Sequence, residues 1–293
     1  MLVAGLLLAA VRWGWAAEAN TERGRAIAEI RRLGARVTVA EETPGKPVTS
    51  VDWSGTMATD AALEHLKGLT ELRKLYLGNT RVTDAGLVHL KGLAKLTTLS
   101  LRFTEVTDAG LERLKGLTQL QTLLLTETQV SDAGLVHLKC WPKLTTLNLG
   151  GTYVTDAGLE RLKDLAQLQA LDLWGDKVSD AGLVHLQGLT QLTTLSLRFT
   201  EVTDAGLEHL RGLTKLQTLL LVETQITDAG LVHLQGLTNL HTLALWNTRV
   251  TDAGLEHLQC LTKLQRLGLG GTKVTNAGVK RFQKALPNCK ISR

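Results

Sequence analysis

Aromatic side chains are scarce in this chain, 4% of 293 residues, although 44% are hydrophobic. A core assembled around large rings is thereby excluded. Leu, Val and Ala have to supply it, which suits a small building block used many times. Cysteines are few: Cys140, Cys260 and Cys289 are an odd number and cannot form a disulfide framework. No apolar run approaches the roughly 20 residues that cross a bilayer, so no membrane span is expected. The longest, Leu2 to Val11, has the length of a secretory-signal core, and Ala17-Glu18-Ala19 offers a cleavage point after Ala19. Residues 1–19 therefore read as a signal peptide and the protein as exported, to a periplasm, a cell envelope or the exterior. Without that signal it would be cytoplasmic. No cysteine follows the run, so a lipid anchor there is unsupported.

Enzyme signatures are missing as well. H-E-x-x-H and G-x-S-x-G do not occur, and no Cys has a His placed to activate it. The glycine-rich "LGLGGTKVT" at 267–275 lacks the G-x-x-x-x-G-K-[ST] spacing of a phosphate loop. The chain is read as a non-enzyme with no catalytic residue, cofactor or metal site.

What is present is a period. From Gly45 the chain repeats in ten equal units beginning at 45, 69, 93, 117, 141, 165, 189, 213, 237 and 261. The unit "LTELRKLYLGNTRVTDAGLVHLKG" at 69–92 places apolar residues at Leu69, Leu72, Leu75, Leu77, Val82, Leu87 and Leu90. Leu72 to Leu77 has strand-like spacing, and Leu87 and Leu90 share one helix face. Each unit reads as strand, turn and short helix. Seven such side chains stabilise by roughly 1.5–3 kcal/mol each, and ordering every residue of the unit costs roughly 1.5 kcal/mol per residue. A unit cannot fold alone, so stability belongs to the stack.

"TDAGL" punctuates the units. Thr or Ser heads eight copies, with variants "TDAAL" at 59–63 and "TNAGV" at 275–279. Thr83 or Asp84 is expected to cap the helix by accepting from an unpaired backbone N–H. Ahead of the array, Thr21 to Leu33 reads as a helix and "ARVTV" at 35–39 as a strand. Residues 20–44 are taken as an N-terminal cap, 45–284 as the repeats, and 285–293 as a C-terminal cap. A longer rhythm lies above the period: "LTTLSLRFTEVTDAGLE" occupies both 96–112 and 192–208, a four-unit duplication.

The units resemble leucine-rich repeats, L-x-x-L-x-L-x-x-(N/C/T), with Thr80, Thr104 and Thr128 at the variable last position. Their "TDAGLxHL" halves are similar to the 24-residue, ribonuclease-inhibitor-like or GALA-like subclass, and such arrays resemble exported ones of planctomycete bacteria. The resemblance implies an α/β fold, a right-handed solenoid or horseshoe with a concave parallel sheet and convex helices.

Regular stacking turns each repeat position into a row. His65, His89, His137, His185, His209, His233 and His257 share one row with Arg113, Arg161 and Arg281, a poor basis for a metal site. Lys67, Lys91, Lys115, Lys139 and Lys163 share another, without the stacking aromatics of nucleic-acid binders, so the net charge of +5 does not point to nucleic acid. Cys140 and Cys260 lie five units apart, ~24 Å at strand spacing, too far to bond. All three cysteines are expected as free, packed thiols.

Variation concentrates just after the third strand leucine. Arg102, Phe103, Glu127, Trp174, Arg198, Phe199, Glu223 and Trp246 occupy these rows and are the candidate partner-binding residues of the concave face, since exposed aromatics with arginine anchor protein interfaces. Trp174, Arg198, Phe199 and Trp246 fall within four rungs, ~14 Å. A protein or peptide is the expected partner, and a carbohydrate platform on Trp174 and Trp246 is a smaller alternative. A structural cell-envelope spacer and a ubiquitin-ligase-type adaptor are the other functional readings.

Overall fold

The computed structural model describes residues 21–293; the expected signal segment lies outside them. The described residues fall into two compact units, one ending at Leu120 and one running from Gln121 to Arg293.

The first unit opens with a helix, Glu22–Arg32, capped by Thr21 Oγ1, which accepts from Gly24 N at 3.0 Å. Gly34, with φ +88°, turns the chain into β1 (Arg36–Val39). That strand runs antiparallel to β2 (Val48–Asp52), while β3 (Lys74–Tyr76) and β4 (Thr98–Ser100) follow in parallel, Ser50 beside Lys74 and Lys74 beside Thr98. In the second unit β5 (Thr122–Leu124), β6 (Thr146–Asn148), β7 (Ala170–Asp172), β8 (Thr194–Ser196), β9 (Thr218–Leu220), β10 (Thr242–Ala244), β11 (Arg266–Gly268) and β12 (Lys290–Ser292) pair in parallel in chain order. Register advances by one full repeat per strand, with Thr194 beside Thr218 and Thr218 beside Thr242.

The apolar letters of the period are the core. Leu72, Leu75, Leu77, Val82, Leu87 and Leu90 are all 0% exposed. Rings are not wholly absent from it: Trp53, Trp141 and Phe282 are fully buried, Trp53 and Trp141 where other units carry leucine. Helical segments inside the repeats are short, such as Asp204–Glu208, and several are 3-10 turns, such as Gly134–Cys140. Only Asn276–Ala285 reaches ten residues within the second unit. Single turns have no stability of their own, so the buried leucines hold them.

The "TDAGL" motif divides its labour differently from the expectation. The hydroxyl caps: Thr203 Oγ1 accepts from Ala205 N at 3.3 Å. The aspartate does not. Asp180 reaches into the following repeat, where Oδ1 accepts from Thr203 N at 2.8 Å and Oδ2 from Thr203 Oγ1 at 2.5 Å. The same strut joins Asp60 to Thr83, Asp84 to Thr107, Asp132 to Thr155, Asp156 to Ser179, Asp204 to Thr227, Asp228 to Thr251 and Asp252 to Thr275.

This strut dictates the glycine. A Cβ on Gly206 would stand 2.3 Å from Asp180 Oδ1, and one on Gly86 2.4 Å from Asp60 Oδ1. The equivalent residue of the first repeat is Ala62. No repeat precedes that one to send in an aspartate, and the position carries a methyl group.

The three cysteines are free thiols, but Cys260 is exposed rather than packed. Burial pushes the Cys289 thiol up to about 11. No helix among the described residues is long and apolar enough to cross a membrane.

Candidate functional site on the sheet face and its turns

Each strand ends in a residue with left-handed backbone. Ten occupy this place: Gly55, Asn79, Phe103, Glu127, Gly151, Gly175, Phe199, Glu223, Asn247 and Gly271, with φ between 54° and 73°. The conformation has a structural purpose at eight of them, Gly55, Asn79, Glu127, Gly151, Gly175, Phe199, Glu223 and Asn247, where it aims the amide at the next rung and carries the ladder past the strand. Phe199 N donates to Val222 O at 2.8 Å and Glu223 N to Trp246 O at 3.0 Å. Glycine adopts this conformation freely and asparagine tolerates it, whereas other side chains cost roughly 1–2 kcal/mol each. Phe103, Glu127, Phe199 and Glu223 hold it all the same.

The candidate residues divide between the units. In the first, Arg102 and Phe103 are exposed, Phe103 by 51%, and the Arg102 guanidinium carbon sits 5.9 Å from the Phe103 ring centroid. In the second, Phe199 is 54% and Trp246 41% exposed, Trp174 and Arg198 are half-buried, and Glu127 and Glu223 are exposed. Arg198 turns toward Ser196, donating from Nε to Oγ at 3.3 Å. The repeated seventeen letters thus give two different arginine placements, beside Gly78 in one copy and between Trp174 and Val222 in the other.

The two tryptophans lean apart. Trp174 folds back over the preceding rung, where a Cβ on Gly150 would meet its Cδ1 at 2.1 Å. Trp246 folds forward over the next, where a Cβ on Gly268 would meet its Cε2 at 2.7 Å. The glycines that made 267–275 look like a phosphate loop are the floor on which an indole lies. Arg198 and Val222 separate the two rings.

A polar chain runs beside Trp174. Thr126 Oγ1 donates to Asn148 Oδ1 at 2.8 Å, Asn148 Nδ2 to Asp172 Oδ2 at 3.0 Å, and Trp174 N to Asp172 Oδ1 at 3.2 Å. Just beyond lies a residue that the sequence reading passed over. Asp176 replaces the threonine whose hydroxyl, in Thr200 for example, donates to the strand carbonyl of Leu197 at 2.7 Å. Asp176 is 2% exposed, and Thr152 N and Oγ1 both donate to its Oδ1, at 2.9 and 3.1 Å, leaving Oδ2 without a partner. Burial pushes its carboxyl up to about 7 against the pull of Thr152, and the like charges of Asp172 and Asp132 add to the rise. The signal was legible as one acid in a row of threonines.

On the helical side, Gln187 Nε2 meets His209 Nδ1 at 2.8 Å and Arg211 Nε donates to His233 Nδ1 at 3.0 Å. The histidine row therefore makes ordinary surface contacts. Among the described residues no group of three or more His, Cys, Asp or Glu is placed to hold a metal ion.

Comparison with known proteins agrees with this architecture. The leucine-rich-repeat family model matches residues 92–115, 142–163 and 188–210. No curated protein matches the chain in sequence. Among solved structures, internalin C2 of Listeria monocytogenes is similar at 26% identity and a TM-score of 0.55, over 70% of this chain and 83% of that one. Another internalin of the same organism, at 20% identity and a TM-score of 0.54, aligns over 83% of this chain and 86% of its own. A leucine-rich-repeat protein of Leptospira interrogans shares 18% identity at a TM-score of 0.50, over 78% and 74%. With strands that advance by one repeat per rung and a leucine core at every rung, the chain carries leucine-rich repeats.

Proposed function

We propose that this protein is a non-catalytic recognition module that captures a protein or peptide partner on the sheet face and strand-end turns of its second unit. Leucine-rich-repeat proteins are typically binding modules, and the fold generally mediates protein–protein interaction. The observation that carries the reading is Phe199. Its backbone sits at φ 59° where glycine would be unstrained, and its ring is 54% exposed, so no core contact accounts for it. Costly backbone geometry at an exposed aromatic is the mark of a residue retained for contact. Arg198 and Trp246, residue types that anchor interfaces, stand beside and beyond it.

The test uses Phe199→Gly, which removes the ring and the strain together. Stability should rise by about 1 kcal/mol, while capture of partners from cell or envelope extract, identified by mass spectrometry, should fall. Capture that is the same in wild type, Phe199→Gly and a Trp174→Ala/Arg198→Ala/Trp246→Ala variant would place the partner elsewhere. We also propose that the protein is exported.

A further inference from the structure

The second unit contains two glycine pairs roofed by tryptophan, and they differ in the side chain that covers the second glycine. Over Gly150–Gly151 stand Trp174 and Glu127: a Cβ on Gly150 would meet Trp174 Nε1 at 2.4 Å, and one on Gly151 would meet Glu127 Oε1 at 2.9 Å. An indole and a carboxylate thus cover adjacent residues of one strand end. Asp172, bonded to Trp174 N and to Asn148, adds a second carboxylate at the base. Among the described residues neither Glu127 nor Asp172 has an ion-pair partner within 4.0 Å. Arg198, the cation on the following rung, is turned to Ser196.

Gly270–Gly271 is the internal contrast. Trp246 lies over Gly270, but the residue over Gly271 is Asn247, whose amide donates to Glu223 Oε1, and Arg266 is exposed on the same strand. That saddle offers an amide where the first offers an unneutralised carboxylate.

An indole face beside carboxylates that lack a counter-ion is complementary to a positive charge, which gains from the ring quadrupole and from the anion together. Sugars would also stack on an indole, but a neutral sugar brings no charge to offset two carboxylates that lack a counter-ion. We propose that the Gly150–Gly151 saddle, walled by Trp174 and Glu127 with Asp172 at its base, receives an arginine or lysine side chain of the protein partner. This rests on the protein-binding reading and gives that partner a charge and a point of entry.

The experiment selects displayed random heptapeptides on the full chain and measures an enriched peptide by titration against variants. Enriched sequences should share an Arg or Lys at one position. Affinity for such a peptide should fall about 10-fold in Glu127→Gln and in Trp174→Ala, with little change in Glu201→Gln, an exposed acid on another row. Replacing the basic residue of the peptide by Gln should produce the same loss on wild type and little further loss on Glu127→Gln. Because Glu127 is exposed, its variant folds whether or not Trp174→Ala does. Enriched peptides with no basic position, basic peptides indifferent to Glu127→Gln, or Trp174-dependent binding of an uncharged oligosaccharide instead would each overturn the proposal. If uncharged peptides bind, the protein-binding reading survives without it; if no peptide is enriched and extracts yield no partner, both fall.

Discussion

Replacing Asp176 with threonine restores the residue that every other repeat carries, and it should make the protein both more stable and less sensitive to pH. The Asp176 carboxyl is 2% exposed with one oxygen unpaired, and its pKa rises from 3.8 to about 7. An acid that holds its proton more tightly when folded than when unfolded favours the native state at low pH. That advantage is complete below about 4 and is lost as pH rises through about 7. A shift of about three units corresponds to about 4 kcal/mol between those limits. Asp176→Thr removes the titration. Its hydroxyl can donate to Leu173 O as Thr200 does to Leu197 O, and Thr152 N keeps its bond to Leu149 O. Urea unfolding of both proteins at pH 4, 5, 6, 7 and 8 would read the difference. Wild type should lose about 4 kcal/mol more than the variant across the series, with the largest gap at pH 8. Parallel pH profiles, or a variant less stable than wild type at pH 8, would refute the account.

Three further outcomes are expected. Gly206→Ala should destabilise by about 3 kcal/mol, because its methyl displaces the Asp180 carboxylate from charge-assisted bonds to Thr203. Adding Asp180→Ala should recover much of the clash, leaving a clearly non-additive double-mutant cycle in denaturant unfolding. Ala62→Gly, at the position with no aspartate to accommodate, should bring no gain beyond glycine's own cost of roughly 0.5–1 kcal/mol, measured the same way. N-terminal sequencing of the protein recovered from its native host should begin at Asn20, and a mature chain that still begins at Met1 would rule out export by this signal.

Periodicity made the fold legible because each rung buries the same letters: Leu72, Leu75 and Leu77 could be placed in the core from their spacing alone. The division of "Thr-Asp-Gly" was legible too, had the single alanine at 62 been weighed against the missing upstream acid. Side-chain direction on the sheet face was not. Trp174 and Trp246 hold the same repeat position, yet one lies back on Gly150 and the other forward on Gly268. Which neighbour is a glycine decides where a ring can lie, and that is a property of pairs of rungs rather than of any one. Asp176 was visible as a letter, but its meaning depends on burial and on the absence of a bond to Oδ2.

The aspartate strut also bears on how such an array changes length. Its donor and acceptor belong to consecutive repeats and every strut seen within a unit uses the same pair, so each repeat carries a plug at one side and a matching socket at the other. A whole repeat can leave or enter without any joint being rewritten, whereas a fraction of one would strand both plug and socket. Growth in whole modules then needs no compensating mutation, and a four-module duplication, still marked by seventeen identical residues at 96–112 and 192–208, can persist in one chain because each new seam joins parts that already fit.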